Sequence, residues 1–132
     1  MNKRTWWPAT TEILTTKGWE YITKVENVED IIGYDKNKFK STKILEVNII
    51  KEYNGVLDYY RDGKIFLCGK SISLLDGKIN RVGYSIPCPE LSKIKYEGPL
   101  FNIVTCTNTL ITRNFEETDE GDYIISKCNH EL

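Results

Sequence analysis

Asx-Gly dipeptides cut this chain into short alternating runs, and that punctuation limits the folds open to it. Asn54-Gly55, Asp62-Gly63 and Asp76-Gly77 each stand between runs of branched and aromatic residues. Such dipeptides supply the positive-φ positions that tight β-hairpin turns require. Thr11-Glu-Ile-Leu-Thr15 alternates up to the turn Lys17-Gly18, Trp19-Glu-Tyr-Ile22 alternates again, and Asp30-Ile-Ile-Gly-Tyr34 runs into the polar loop Asp35-Lys-Asn-Lys38. Further strands are expected over 43–51, 56–60, 65–68, 71–75, 78–82, 100–111 and 123–125, with a turn at Asn54-Gly55 and one helical turn over 90–95. Pro87, Pro89 and Pro99 exclude longer helices from the last third. Composition points the same way. Ile, Val, Thr, Tyr, Phe and Trp make up 49 of the 132 residues, against one alanine (Ala9) and no glutamine. Branched and aromatic side chains fit a pleated surface and lose rotamer freedom in a helix. The chain reads as all-β: a sandwich, a barrel or a folded ribbon.

Several function classes drop out. A formal charge of −1 excludes general attraction to nucleic acid. A local basic hairpin exists at Lys36, Lys38, Lys40 and Lys43, but Phe39 alone interleaves it, so it reads as a solvated loop and nucleic acid is not an expected partner. No stretch reaches the roughly 18 apolar residues that span a bilayer. The basic N-terminus lacks a following apolar segment, so neither a membrane nor a secretory leader is expected and the location is read as cytoplasmic. Cys68, Cys88, Cys106 and Cys128 never form a C-x-x-C pair, and His130 is the lone histidine. No metal and no cofactor is expected, and the thiols are read as reduced and mostly buried. The acidic stretch over 116–122 reads as a solvated loop.

One internal similarity stands out. Tyr53-Asn-Gly-Val-Leu57 and Tyr96-Glu-Gly-Pro-Leu100 share Tyr-x-Gly-x-Leu at an offset of 43, at which Leu67 also meets Leu110 and Lys70 meets Arg113. Shared hairpin grammar produces such matches. So does a duplicated β unit folded about a pseudo-twofold axis.

The opening Thr11-Glu-Ile-Leu-Thr-Thr-Lys-Gly-Trp-Glu-Tyr-Ile22, with Val25, Asp30-Ile31 and Tyr34-Asp35, resembles the first block of the Hint superfamily, the hedgehog and intein autoprocessing domains. The closing segments, 96–104, 109–113 and Tyr123-Ile-Ile-Ser-Lys-Cys-Asn129, resemble that family's C-terminal blocks, in particular those of phage-borne Hint-like modules. The resemblance brackets residues 6–129 or so. It implies one Hint-like domain over 1–132, an all-β horseshoe of short antiparallel strands with pseudo-twofold symmetry, and, for a viral protein, the host cytoplasm.

What the family does is self-splicing or autocleavage, and its chemistry rests on four positions. The resemblance places the first, a Cys or Ser that attacks its own preceding carbonyl, at Trp6, which cannot attack; Thr11 falls on a binding-site residue. The second, a Thr-x-x-His in the middle block, falls within 65–75, where Cys68 or Gly69 stands for the Thr and Ser71 or Ile72 for the His. The third, usually Asp, is Asn102, which is neither acid nor base. The fourth, an Asn that cyclises on its own carbonyl, is matched by Asn129, with Cys128 before it and His130 after it. Three of the four positions have lost their chemistry, and with five residues before Trp6 and three after Asn129 little flanking chain is expected to be ligated.

The leading expectation is a splicing-inactive Hint-fold protein, kept as a protein-binding or structural module. In it Trp6 and Trp7 either pin the first strand across the core or present an anchor to a protein partner. The enzymatic alternative is residual C-terminal cleavage by Asn129 cyclisation, with Cys128 and His130 beside it; a nucleic-acid-binding module is the third.

Overall fold

The computed structural model describes residues 2–28, 30–62, 64–69, 78–81, 84–87, 91–114 and 123–131; at 2–3, 27, 114 and 130–131 and within 59–91 only the backbone is described. In chain order come β1 (Asn2–Arg4), β2 (Trp7–Pro8), β3 (Thr11–Thr15), β4 (Gly18–Tyr21), a 3-10 helix (Ile22–Asn27) and β5 (Asp30–Asp35). There follow β6 (Lys38–Asp62), β7 (Lys64–Gly69), β8 (Lys78–Arg81), β9 (Tyr84–Pro87), β10 (Leu91–Thr105), β11 (Thr109–Asn114), β12 (Ile124–Lys127) and β13 (Asn129–Glu131). The main sheet runs β12-β11-β3-β5-β6-β10-β2, with β4 on β3 and β7 on β6, while β1–β13 and β8–β9 form two-stranded ribbons. Every pairing is antiparallel. Among the described residues no helix is long and apolar enough to cross a membrane.

The expected all-β class holds, with local departures that have physical causes. Asn54-Gly55 is not a turn: β6 runs through it for 25 residues. The one helical turn expected over 90–95 is strand from Leu91 onward, because β10 pairs with β6 from Leu91↔Tyr60 to Thr105↔Ile44. Pro99 is tolerated there at a register shift between Gly98 and Leu100, where no ladder N–H is required of it. The run expected over 100–111 is broken by a turn at 106–108, and the Trp19–Ile22 run ends at Tyr21, where the 3-10 helix begins. At the hairpin tip Lys36 (φ 49°) and Asn37 (φ 64°) are both left-handed, the pattern of a type I′ turn. The Asp76-Gly77 turn and the acidic stretch 116–122 lie outside the described residues.

The Tyr-x-Gly repeat acquires a geometric meaning. Its two copies pair with each other: Tyr53 faces Gly98, Gly55 faces Tyr96, and Asn54 faces Glu97, the residue 43 positions on. A local twofold axis therefore passes through the Asn54–Glu97 pair. In each copy the tyrosine lies over the following glycine and donates to a carbonyl three residues on, Tyr53 Oη to Val56 O (2.9 Å) and Tyr96 Oη to Pro99 O (2.8 Å). A Cβ at Gly98 would stand 2.8 Å from the Tyr96 hydroxyl. Of the other matches, Leu110 is buried in the core, while the side chains of Leu67 and Lys70 lie outside the described residues.

The core joins the first strands to the last. Trp7, Ile13, Ile22, Val25, Ile31, Phe101, Ile103, Leu110 and Cys128 form one buried cluster. Phe101 pairs with Trp7 across β10–β2, and Thr112 pairs with Ile13 across β11–β3. Each large apolar side chain buried there contributes about 1.5–3 kcal/mol. Trp7 is thus the pin, and its ring is in the core rather than at the surface. Arg113 Nε reaches Glu12 Oε2 at 2.6 Å and lies over the Trp19 ring at 4.5 Å, closing the solvent side of β3–β11.

Candidate functional site

The sheet order brings the two ends of the chain together on one side chain. Asn102 sits on β10 opposite Asn48 of β6 and is fully buried. Its Nδ2 donates to Thr5 O (3.0 Å) and to Cys128 O (3.1 Å), while its Oδ1 accepts from Asn48 Nδ2 (3.0 Å). Both carbonyls can only accept, so the amide has one satisfactory orientation. Two further bonds sew the same ends: Thr5 N–H donates to Cys128 O (3.0 Å) and Thr5 Oγ1 to Lys127 O (2.7 Å). Beyond this clasp β1 and β13 leave as a ribbon, Arg4 opposite Asn129 and Lys3 opposite His130.

Asn129 is held from the other side by Asn108. That residue closes the β10–β11 turn with its N–H on Thr105 O (3.0 Å) and a left-handed φ of 57°, a conformation asparagine adopts more readily than most residues. Its side chain grips the Asn129 backbone like a neighbouring strand: Asn108 Nδ2 donates to Asn129 O (2.8 Å) and Asn129 N–H donates to Asn108 Oδ1 (3.0 Å). The Asn108 carbonyl accepts from Cys128 N–H (3.0 Å). Asn129 Oδ1 is buried with no hydrogen-bond partner among the described residues.

Cys128 faces a chain of threonines. Thr105 Oγ1 donates to Thr109 O (2.9 Å) and accepts from Thr109 N–H (3.2 Å). The same hydroxyl lies 3.7 Å from Cys128 Sγ. Burial pushes the thiol up to about 11, with Thr105 only partly opposing it. At neutral pH Cys128 is a thiol and a poor nucleophile. Thr109 Oγ1 continues the chain by accepting from Tyr34 N–H (2.9 Å). Gly33 beside it has no room for a Cβ, which would overlap Thr107 Oγ1. A cleft of about 370 Å³ opens here between Tyr34, Lys36, Asn37, Asn108 and Lys127.

The other expected site residues are placed as follows. Trp6 is half-buried beside Thr5, and Trp7 is fully buried, so a Trp6–Trp7 anchor would offer a partner only the first ring. Thr11 is buried with Oγ1 unpartnered among the described residues. Ser71, and the side chains of Cys68 and His130, lie outside the described residues, as does Cys88. Of the two cysteines whose side chains are described, Cys128 is buried and Cys106, at the β10–β11 turn, is exposed. In the basic hairpin Lys43 pairs with Asp30 at 3.0 Å and Lys40 stands 4.0 Å from Asp35, while Phe39 contacts the Tyr34 and Tyr123 rings edge-on. Asn108, Thr5, Asn48 and Thr105 were not singled out from the sequence.

No protein-family model matches the chain, and no curated protein matches it. Solved structures do. The solution structure of a bacterial intein-like domain from Clostridium thermocellum superposes with a TM-score of 0.60 over 95% of this chain and 99% of that one, at 14% identity. The GSH-linked, splice-inactive variant of the AceL NrdHF class 3 split intein gives a TM-score of 0.59 over 96% of this chain and 99% of that one, at 10% identity. Over nearly its whole length, this chain has the fold of the intein-like, or Hint, domains.

Proposed function

We propose that this chain is a Hint-fold module that does not splice and is kept as a structural or protein-binding piece. The observation that carries this reading is the Asn102 clasp. Asn102 Nδ2 donates to the carbonyl of Thr5, which a nucleophile at position 6 would attack, but the residue that the clasp sets beside that carbonyl is tryptophan. The nearby thiol, Cys128, is buried and protonated. Neither amide nor indole can form the ester or thioester on which acyl transfer depends. A protein partner is favoured by the apolar side chains that β6 exposes, Leu45 (65%), Ile49 (46%) and Val56 (47%). A phage-encoded, cytoplasmic setting belongs to the same proposal and rests on the sequence resemblance. The test is to place reporter segments before Met1 and after Leu132 and follow the mass of the product. No ligated reporter is expected; a ligated product overturns the reading.

A second reading concerns the C-terminal junction alone: Asn129 cyclises and releases His130-Glu131-Leu132. It is favoured by the donor that Asn108 places on the Asn129 carbonyl. Purified protein is then expected to lose three residues with time, and Asn129→Ala to retain them. Retention in both overturns this reading.

A further inference from the structure

We infer that Asn108 is the oxyanion donor for cleavage after Asn129, an inference that rests on the cyclisation reading above. Cyclisation begins when Asn129 Nδ2 attacks the backbone carbonyl carbon of its own residue. As that C–N bond forms, the electron pair of the C=O bond moves onto Asn129 O. The tetrahedral centre then collapses and the bond to the His130 nitrogen breaks. The proton shed by Nδ2 ends on that departing amine. The products are a five-membered aspartimide at the new C-terminus and the tripeptide His130-Glu131-Leu132.

One described side chain donates to the oxygen on which the charge develops. Asn108 Nδ2 lies 2.8 Å from that oxygen in the ground state, and a donor already on the oxygen meets the charge as it grows there. Asn102 does not serve: its two bonds go to Thr5 O and Cys128 O, the second of them one peptide too early. The donor is also held in place. Asn108 N–H binds Thr105 O, Asn108 O accepts from Cys128 N–H, and Asn108 Oδ1 accepts from Asn129 N–H, so the amide cannot turn away without losing a second contact. The bond is neutral in the ground state and charge-assisted once the oxygen becomes anionic, and such bonds are roughly twice as strong. The interaction therefore strengthens on the way to the transition state, which is the condition for acceleration. The attacking side chain is not tied down through its oxygen, since Asn129 Oδ1 has no partner among the described residues.

The full chain is incubated at neutral pH as wild type, Asn108→Gly, Asn108→Asp and Asn129→Ala, with a peptide of residues 127–132 as the unassisted reference. Intact mass against time gives the rate at which residues 130–132 are lost. Glycine keeps the left-handed backbone and removes the donor. Aspartate keeps the acceptor for Asn129 N–H but sets a carboxylate against the forming oxyanion. The wild type is expected to cleave faster than the peptide, Asn108→Gly at least ten-fold more slowly than wild type, and Asn108→Asp more slowly still. A purely structural role would order the variants by stability, so urea midpoints are recorded alongside. A wild type faster than the peptide with Asn108→Asp keeping pace overturns the role of Asn108 and leaves cyclisation standing. A wild type no faster than the peptide overturns both.

Discussion

The two junctions that meet at Asn102 are held by amides, and the amides hold different things. On the N-terminal side Asn102 binds the carbonyl ahead of Trp6, whose indole cannot attack it. On the C-terminal side Asn108 binds the carbonyl of Asn129, whose own side chain is the potential nucleophile. On the proposed reading, the first contact is structural because tryptophan follows the carbonyl it holds. The second has the same donor chemistry, and there the proposed reacting group lies within the same residue. What separates a clasp from an oxyanion hole is therefore the neighbour, not the amide.

Breaking the N-terminal side should have the largest effect. Asn102→Leu strips donors from two buried carbonyls and the acceptor from Asn48, and should lower unfolding stability in urea by about 3 kcal/mol. Asn102→Asp turns a carboxylate oxygen toward the same carbonyls, which raises its folded pKa above the unfolded value. Its stability should be fullest below the unfolded pKa and fall as pH rises through the folded one, leaving a variant that recovers in acid. A loss at neutral pH no greater than that of Asn108→Gly would erase the distinction between the junctions.

The next effect is a pH dependence. The folded thiol of Cys128 lies above its ordinary 9.0, at about 11. The native state keeps its proton where the unfolded state releases it, so stability is fully present below pH 9 and declines between about 9 and 11, by about 1.4 kcal/mol per unit. Cys128→Ser should flatten that segment of the profile relative to wild type in urea titrations. An unchanged slope would mean the thiol is reached by solvent.

Smaller losses follow. Asn108→Gly should cost about 1 kcal/mol in the same assay, since two hydrogen bonds go but a left-handed glycine is unstrained. The local twofold supplies a finer comparison. Tyr53→Phe and Tyr96→Phe remove equivalent hydroxyls, at about 0.5 kcal/mol and about 1 kcal/mol respectively. Tyr96 is the larger because its hydroxyl also accepts from Ala9 N–H at 3.3 Å. Equal losses would mean that this extra contact adds nothing.

How much of this could be read from the chain follows the range of each interaction. Strand alternation is local, so β3, β5 and the Lys36-Asn37 hairpin stand where the runs place them. Asn54-Gly55 misled because a turn dipeptide is also a site where a tyrosine can fold over its own strand, and only the facing Tyr96-Glu-Gly98 makes that arrangement symmetric. The resemblance marked Asn102 and noted that it is no acid or base. It could not show a double donor, because the partners lie 97 and 26 residues away and are backbone carbonyls, which any residue type supplies. Asn108 left one local signal: Cys106-Thr-Asn-Thr109 interrupts an apolar run with residues that favour turns, and Asn is the one among them that takes a left-handed φ readily.

The most direct test is to read both ends of one sample. Wild-type protein is held at neutral pH with a thiol, and intact mass is followed for loss of the first five residues and of the last three. The account predicts that no species beginning at Trp6 forms, with or without thiol, and that any shortening is confined to the three residues after Asn129. A fragment beginning at Trp6, growing in with thiol and absent without it, would show that the Thr5 carbonyl is carried on a sulfur. That result would contradict the claim that Asn102 closes a junction with no chemistry left in it.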